Sequence, residues 1–146
     1  MDKVILTLIT TLCTSATKPY AFTLREGSNT AIDFLNSIKA FAAQNLFKPG
    51  DYLILDNARV HDSQEIILDL DNLATQYGLY IRFLPSYSPE LNPCELIFAQ
   101  VKNYIRNNRI EEDFTTILVL AFQTISFFNV IQYYSKCIIP SKITSF

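Results

Sequence analysis

Short apolar runs, each bounded by turn residues, predict four β-strands in the chain. They are residues 3–12, 20–24, 52–55 and 80–84. The first two runs flank a short turn that contains a proline, which predicts an antiparallel hairpin. The third is apolar at every position, which indicates a strand buried on both faces of its sheet. A helical pattern separates the third and fourth runs, so we expect these two strands to pair in parallel.

Apolar residues recur at helical spacing in the segments between and after these strands. Three helices are predicted: one from a cap at Ser28 or Asn29 to about Asn45, one from Asp62 to a stop at Gly78, and one from Pro93 onward. The order of elements predicts an α/β fold. Its mixed sheet would have the antiparallel hairpin first and the parallel strands after it, with helices on both faces.

The C-terminal segment is uncharged over a length that would span a bilayer as a helix. No charged residue occurs in Phe114–Ser135. Polar residues interrupt it repeatedly, so a packed pair of helices that splits near Ser126 is favoured over a membrane anchor. We therefore expect a single domain over residues 1–146, with a helical C-terminal part at about 110–135. A signal-peptide core at the first apolar run is disfavoured, because threonines are dense there and no clear cleavage site follows.

Composition excludes several classes of protein. The chain has 146 residues, of which 49% are hydrophobic and 18% charged, so it can bury a substantial core and is not intrinsically disordered. The formal net charge of −2 argues against a strongly basic nucleic-acid module. Three scattered cysteines (Cys13, Cys94 and Cys137) and a single histidine give neither a disulfide framework nor the spacing of a zinc site. A reducing compartment fits this usage.

A carboxylate directly follows the third predicted strand. Asp56 stands at the carboxyl end of that strand, where ligands collect in open α/β sheets. The alternative is that Asp56 and Asn57 only make the turn into the next segment. The residues by themselves leave both interpretations open.

A second carboxylate lies in the first turn of the helix that starts at Pro93. Asn92 can cap this helix and Glu95 follows three residues later, which is also the pattern of a capping box. Read alone, Glu95 fits a cap better than a catalytic group. A first-turn carboxylate held against a second acid would nevertheless bind hard divalent cations through oxygen. Two such ions can activate water and stabilise a leaving oxygen in phosphodiester chemistry.

Three segments together resemble a known family. They are DNARVH at 56–61, FLPSYSPELNPCE at 83–95 and the VKNYIR helix at 101–106. They are similar to the catalytic domain of mariner-superfamily DDE transposases. The resemblance implies a ribonuclease H-like fold and an enzyme that uses three acids and two divalent metal ions, Mg²⁺ or Mn²⁺, to cut DNA and join its ends to a target. It assigns the second acid to Asp56 and the third to Glu95, both as metal ligands.

One part of the family pattern has no counterpart. The family's first acid lies on a strand before the hairpin, and no residue here matches it. Asp2 is the only acid upstream of Glu26, and no flanking pattern supports it. The family's N-terminal helix-turn-helix region is not found either. The chain therefore resembles a transposase core truncated at its N-terminus, and whether it is itself an enzyme is left open.

The resemblance also implies DNA as the partner, both transposon ends and target. Lys102, Arg106 and Arg109 form a short basic stripe at helical spacing, as phosphate contacts require, although a solvated helix face has the same pattern. His61 and Asn57 are candidates for DNA contact, with loop and turn hydrogen bonding as the alternatives. A homodimer is compatible with this assignment, whereas a small-molecule substrate is not expected.

Three functional hypotheses follow from these patterns. The first is the catalytic domain of a DDE transposase, located in the nucleus if the source is eukaryotic and otherwise in the cytoplasm. The second is a catalytically inactive remnant that acts as a nucleic-acid-binding or interaction module. The third, a membrane-attached protein, is the least favoured, for the reasons given for the C-terminal segment.

Overall fold

The fold is described by a computed structural model. It describes residues 4–12, 16–27, 30–56, 64–85, 88–108 and 113–137. The chain divides into two compact units. The sheet unit comprises residues 1–9 and 20–88, and the helical unit comprises residues 10–19 and 89–146. The single-domain assignment stays a prediction.

Strands and helices occur in the order that the sequence predicts, which gives a mixed α/β fold. The strands are β1 (Val4–Thr10), β2 (Tyr20–Glu26), β3 (Tyr52–Leu55) and β4 (Tyr80–Phe83). The helices are α1 (Ala31–Ala43), α2 (Gln64–Tyr77), α3 (Pro93–Asn107), α4 (Phe114–Gln123) and α5 (Phe127–Cys137), with a short 3-10 helix at Pro89–Leu91.

Strand pairing follows the predicted pattern of a hairpin and a parallel pair. β1 and β2 form the antiparallel hairpin. β3 and β4 run parallel, with Tyr52 opposite Tyr80 and Leu55 opposite Phe83, so the predicted parallel pairing is confirmed. Within the described ranges, backbone hydrogen bonds join the strands as these two pairs rather than as one continuous sheet.

The prediction that β3 is buried on both faces is wrong. Leu53 and Leu55 are buried, whereas Tyr52 is 61% exposed and Ile54 is 51% exposed. Only the face that carries the two leucines meets the core formed with α1 and α2. On the other face the rings of Tyr52 and Tyr80 stack with their centroids 5.1 Å apart. An unbroken apolar run therefore marked a strand correctly but did not reveal which of its faces is covered.

The core of the sheet unit lies between the strands and helices α1 and α2. Phe41 of α1 and Ile66 and Leu70 of α2 are almost completely enclosed, together with the two β3 leucines. These residues come from the apolar stripes that the helical spacing predicts. Their burial supplies the main favourable free energy that holds the helices on the strands.

The start of α1 differs from the prediction. The cap is Thr30 rather than Ser28 or Asn29. Its Oγ1 accepts a hydrogen bond from the Asp33 N–H at 3.2 Å, and Asp33 Oδ2 accepts one from the Thr30 N–H at 3.0 Å. This reciprocal pair satisfies two backbone N–H donors that the first turn of the helix leaves open. A capping box needs a spacing of three residues, which Asp33 has from Thr30 but not from Ser28 or Asn29.

The predicted stop of α2 at Gly78 is confirmed. Gly78 follows Tyr77 with φ +69°, a left-handed conformation that glycine adopts without a steric penalty. The Leu79 N–H then donates back to the Ala74 carbonyl at 2.8 Å, which closes the helix end. A Cβ at Gly78 would also lie 3.1 Å from the Cβ of Pro49. A larger residue is therefore disfavoured both by the left-handed backbone and by this close contact.

The helical unit packs α3 against α4 and α5. Ile97 and Val101 of α3, Phe122 of α4 and Val130 of α5 are buried. A break at residues 124–126 separates α4 from α5, in agreement with the predicted split near Ser126. Among the described helices, none alone has the length and apolar character to cross a bilayer. α4 and α5 reach that character only as a pair, which is bent by 81°.

Candidate active site

Asp56 directly follows the last residue of β3 and is exposed. The strand that precedes it is fixed by backbone pairing with β4. Just beyond the pair, the Leu84 N–H donates to the Leu55 carbonyl at 2.8 Å. Asp56 is therefore placed at the carboxyl end of a parallel strand by backbone hydrogen bonds, at the position where the sequence predicts a ligand-binding carboxylate.

Glu95 lies in the first turn of α3 and is exposed. The predicted cap residue is confirmed, because Asn92 Oδ1 accepts a hydrogen bond from the Cys94 N–H at 3.0 Å. In a capping box the Glu95 carboxylate would bind the Asn92 N–H. That N–H instead donates to the Pro89 carbonyl at 3.0 Å. The Asn92 N–H is thus satisfied by the 3-10 helix that precedes α3. The Glu95 carboxylate projects from the start of α3.

The exposed face of α3 carries one acid and two cations in a line. At about 100° per residue, Lys102 and Arg106 lie within about 20° of Glu95 around the helix axis. At about 1.5 Å per residue, they follow Glu95 by about 10 Å and 16 Å along that axis. Both cationic side chains are exposed. A carboxylate that binds a metal ion and cations that contact phosphates would therefore face the same side of the helix.

The sequence of residues 6–117 matches the family of DDE superfamily endonucleases. This match covers well over half of the chain and includes both Asp56 and Glu95. The chain belongs to the DDE endonuclease superfamily. No curated protein sequence matches this DDE domain.

One solved structure similar to the DDE domain is a chain of the simian T-cell lymphotropic virus intasome, solved in complex with PP2A regulatory subunit B56 gamma. The TM-score is 0.50 at 19% sequence identity, and the alignment covers 73% of the DDE domain. The similarity concerns the fold, and it fits the predicted ribonuclease H-like architecture. The DDE domain spans 37% of that viral chain.

The predicted site residues that the structure describes fall into two groups. Asp56 belongs to the sheet unit, whereas Glu95, Lys102 and Arg106 belong together to α3 of the helical unit. The other three predicted DNA contacts, Asn57, His61 and Arg109, lie outside the described residues. Their assignments therefore stay predictions.

The chemistry of the two acids suits a divalent metal ion. DDE endonucleases generally use such ions. Carboxylate oxygens are the ligands that Mg²⁺ and Mn²⁺ prefer, and both acids are exposed at the end of a regular element. Within the described ranges, no three His, Cys, Asp or Glu side chains come together as a metal-binding group. Asp56 and Glu95 have the donor chemistry that such an ion takes, and their assignment as ligands stays a prediction.

Sequence reasoning missed the polar contacts that α3 makes with the helices that follow it. Gln100 of α3 is hydrogen-bonded to Thr124, Asn129 and Tyr133 of the helix pair that follows. The only signal in the sequence is that these polar residues interrupt apolar helices. Such interruptions do not reveal which residue pairs with which, because the partners are 24 to 33 positions apart.

Proposed function

We propose that this chain is the catalytic core of a mariner-type DDE transposase, and that Asp56 and Glu95 are two of its metal ligands. The observation that carries the proposal is the geometry of Glu95. Its carboxylate is exposed at the start of α3, while the Pro89 carbonyl accepts the backbone donor that a capping glutamate would bind. Membership of the DDE endonuclease superfamily supports the same roles.

The reaction proposed is hydrolysis followed by strand transfer. A water oxygen attacks phosphorus at the element's end, and the bridging oxygen departs as a free 3′ hydroxyl. That hydroxyl then attacks a phosphodiester of the target, which releases a target 3′ hydroxyl and joins the two DNAs. Mg²⁺ or Mn²⁺, when bound, lowers the pKa of the nucleophile and stabilises charge on the leaving oxygen. Asp56 and Glu95 would orient the reacting groups by holding the ion.

DNA would lie along the exposed face of α3. Lys102 and Arg106 follow Glu95 on that face and would contact backbone phosphates on one side of the cleaved bond. Asn57, His61 and Arg109 are proposed as further DNA contacts, on the strength of the family motif. The family's first acid, which no residue of the sequence matches, is proposed to come from outside residues 1–146.

Metal binding by the chain tests the two ligands directly. Mn²⁺ titration followed by electron paramagnetic resonance should show binding that is weakened at least about tenfold in Asp56→Asn and in Glu95→Gln, since loss of a ligand exceeds the loss of a hydrogen bond to one. Glu90→Gln and Asp69→Asn are matched controls, because both residues are exposed acids on other elements of the same units. Wild-type affinity in Glu95→Gln would remove that residue from the site.

Nicking of supercoiled plasmid tests catalysis. A longer chain that supplies the family's first acid should nick DNA with Mg²⁺ or Mn²⁺, and Glu95→Gln in that chain should abolish the nicking. If the longer chain binds Mn²⁺ and DNA but leaves the plasmid intact, the alternative function, an inactive remnant that acts as a binding module, is the correct one.

A further inference from the structure

The turn between α4 and α5, residues 124–126, is built by two local caps. At the end of α4, Thr124 Oγ1 donates to the Ala121 carbonyl at 2.7 Å. At the start of α5, the Ser126 N–H donates to Asn129 Oδ1 and the Asn129 N–H donates to Ser126 Oγ, each at 3.1 Å. The polar groups of this turn are therefore held in fixed directions by residues next to them in sequence.

Gln100 reaches this turn from α3. Its Nε2 lies 3.3 Å from Thr124 Oγ1 and 3.5 Å from both the Thr124 carbonyl and Asn129 Oδ1. Two N–H groups are shared among these three acceptors, and the nearest of them is the hydroxyl. On the other side of the amide, Oε1 accepts a hydrogen bond from the Tyr133 hydroxyl. Both ends of one side-chain amide are thus bonded to the α4–α5 pair.

Rotation of α3 about its own axis would move Glu95 considerably. With side chains included, the helix has a radius of about 5–6 Å, so a rotation of 20° displaces a carboxylate at its surface by about 2 Å. Catalytic constellations tolerate about 0.5 Å. The apolar contacts of Ile97 and Val101 hold α3 in place, but burial of apolar surface has no preferred direction. Hydrogen bonds, in contrast, have a preferred direction, so they can select one rotation of α3. Gln100 supplies such bonds.

We propose that Gln100 is a positioning residue for Glu95. Its amide, bonded to Thr124, Asn129 and Tyr133, fixes the rotation of α3 and with it the direction of the Glu95 carboxylate. The inference rests on the proposed function, since Glu95 must be a metal ligand for its direction to matter.

Mn²⁺ affinity of the chain, measured by electron paramagnetic resonance, tests this inference. Gln100→Leu should weaken binding by up to about tenfold, which is the lower end of the loss caused by removing a group bonded directly to a metal ligand, because Gln100 acts on Glu95 only through α3. Its circular dichroism should remain that of the folded chain. Gln123→Leu is the matched control, because Gln123 is an exposed glutamine near the end of α4, and it should bind Mn²⁺ like the wild type.

Gln100→Glu adds a second measurement, the pH dependence of Mn²⁺ affinity. A purely structural role of Gln100 would not change that dependence. A carboxylate there would face the Thr124 carbonyl and Asn129 Oδ1 and repel both, whereas the protonated acid can donate again and resemble the amide. Its Mn²⁺ affinity relative to wild type at the same pH should therefore recover as pH falls. Tyr133→Phe, which removes one bond to the amide, should show a smaller loss. These two variants decide the question if Gln100→Leu does not fold.

The outcomes separate the two proposals. Weakened binding in both Glu95→Gln and folded Gln100→Leu supports both. If Glu95→Gln weakens binding but the folded Gln100 variants bind like the wild type, the positioning role is overturned and the proposed function stands. If Glu95→Gln itself binds like the wild type, both are overturned.

Discussion

The sheet unit and the helical unit hold their candidate acids in different ways. Asp56 continues a strand whose place is set by backbone hydrogen bonds to β4, which a substitution other than proline leaves in place. Glu95 stands on a helix whose rotation depends on side chains, chiefly on Gln100. One acid is thus fixed by the main chain and the other by a side-chain network. The helical unit is therefore the part in which distant substitutions would disturb the site.

The cores of the two units show the same contrast. Around Phe41, the sheet unit is held together by apolar contacts, with a polar contact at 3.0 Å between the hydroxyls of Thr23 and Ser37. Around Phe122, the helical unit combines apolar burial with hydrogen bonds between helices. Apolar burial stabilises both units, but in the helical unit hydrogen bonds also select one arrangement of the helices.

The largest effects are expected from the two enclosed phenylalanines. Phe41→Ala and Phe122→Ala should each lower the free energy of unfolding by about 3–5 kcal/mol, because each leaves a cavity in a well-packed core. Urea unfolding measures the loss. Hydrogen exchange should accelerate most in the unit that carries the substitution. Phe128→Ala is the control, since Phe128 is 66% exposed, and a comparable loss there would contradict this assignment of the cores.

A smaller effect is expected from Tyr134→Phe in the helical unit. The Tyr134 hydroxyl donates to the Thr10 carbonyl at 3.0 Å, so its removal should lower the free energy of unfolding by about 0.5–1.5 kcal/mol. Tyr52→Phe, on the exposed face of β3, should change it little. Equal losses in the two variants would show that the hydrogen bond to Thr10 contributes nothing.

The same tyrosine predicts a dependence on alkaline pH. Burial raises the pKa of Tyr134, so its hydroxyl stays protonated in the folded chain at a pH where the unfolded chain ionises. Its contribution to stability is complete below the unfolded pKa near 10 and is lost as pH rises toward the folded value. The alkaline decrease in unfolding free energy should therefore be shallower in Tyr134→Phe. An identical decrease in both proteins would refute the assignment.

The smallest effects are expected at two exposed caps, one in each unit. The Thr30 N–H lowers the pKa of Asp33, and the Thr116 N–H lowers the pKa of Asp113. A carboxyl group whose pKa is lowered by folding stabilises the folded chain at any pH above its pKa in the unfolded chain, near 3.9. This stabilisation is lost as the pH falls through the pKa of the group in the folded chain. Asp113→Asn, which keeps a capping oxygen, should flatten the acid limb of hydrogen exchange in α4 and leave α1 unchanged. Asp33→Asn should do the reverse.

Local structure was largely predictable from the sequence. The strand at Tyr52–Leu55, the stop at Gly78 and the cap at Asn92 follow from turn residues and periodicity that act within a few positions. The covered face of β3 was not predictable, because an unbroken apolar run has no polar position to mark the solvent side. The role of Asn92 in capping was predictable, but the competition of Pro89 for its N–H was not.

The candidate site residues stay predictions, and the contacts that support one of them, Glu95, were not predictable. Family motifs identify Asp56 and Glu95, since both flank recognisable ends of elements. Gln100 belongs to no motif, and its partners lie on other helices. Contacts of this kind depend on how helices pack, which a pattern along one chain does not encode.

The hydrogen bond from the Asn92 N–H to the Pro89 carbonyl makes position 95 an unusually informative place for substitution. Since the backbone closes the helix start without the glutamate, exchange of that side chain alters charge and reach while the fold keeps its cap. Glu95→Asp, which retains the charge and shortens the side chain by one methylene, would therefore report how far the carboxylate must extend to reach the proposed metal ion.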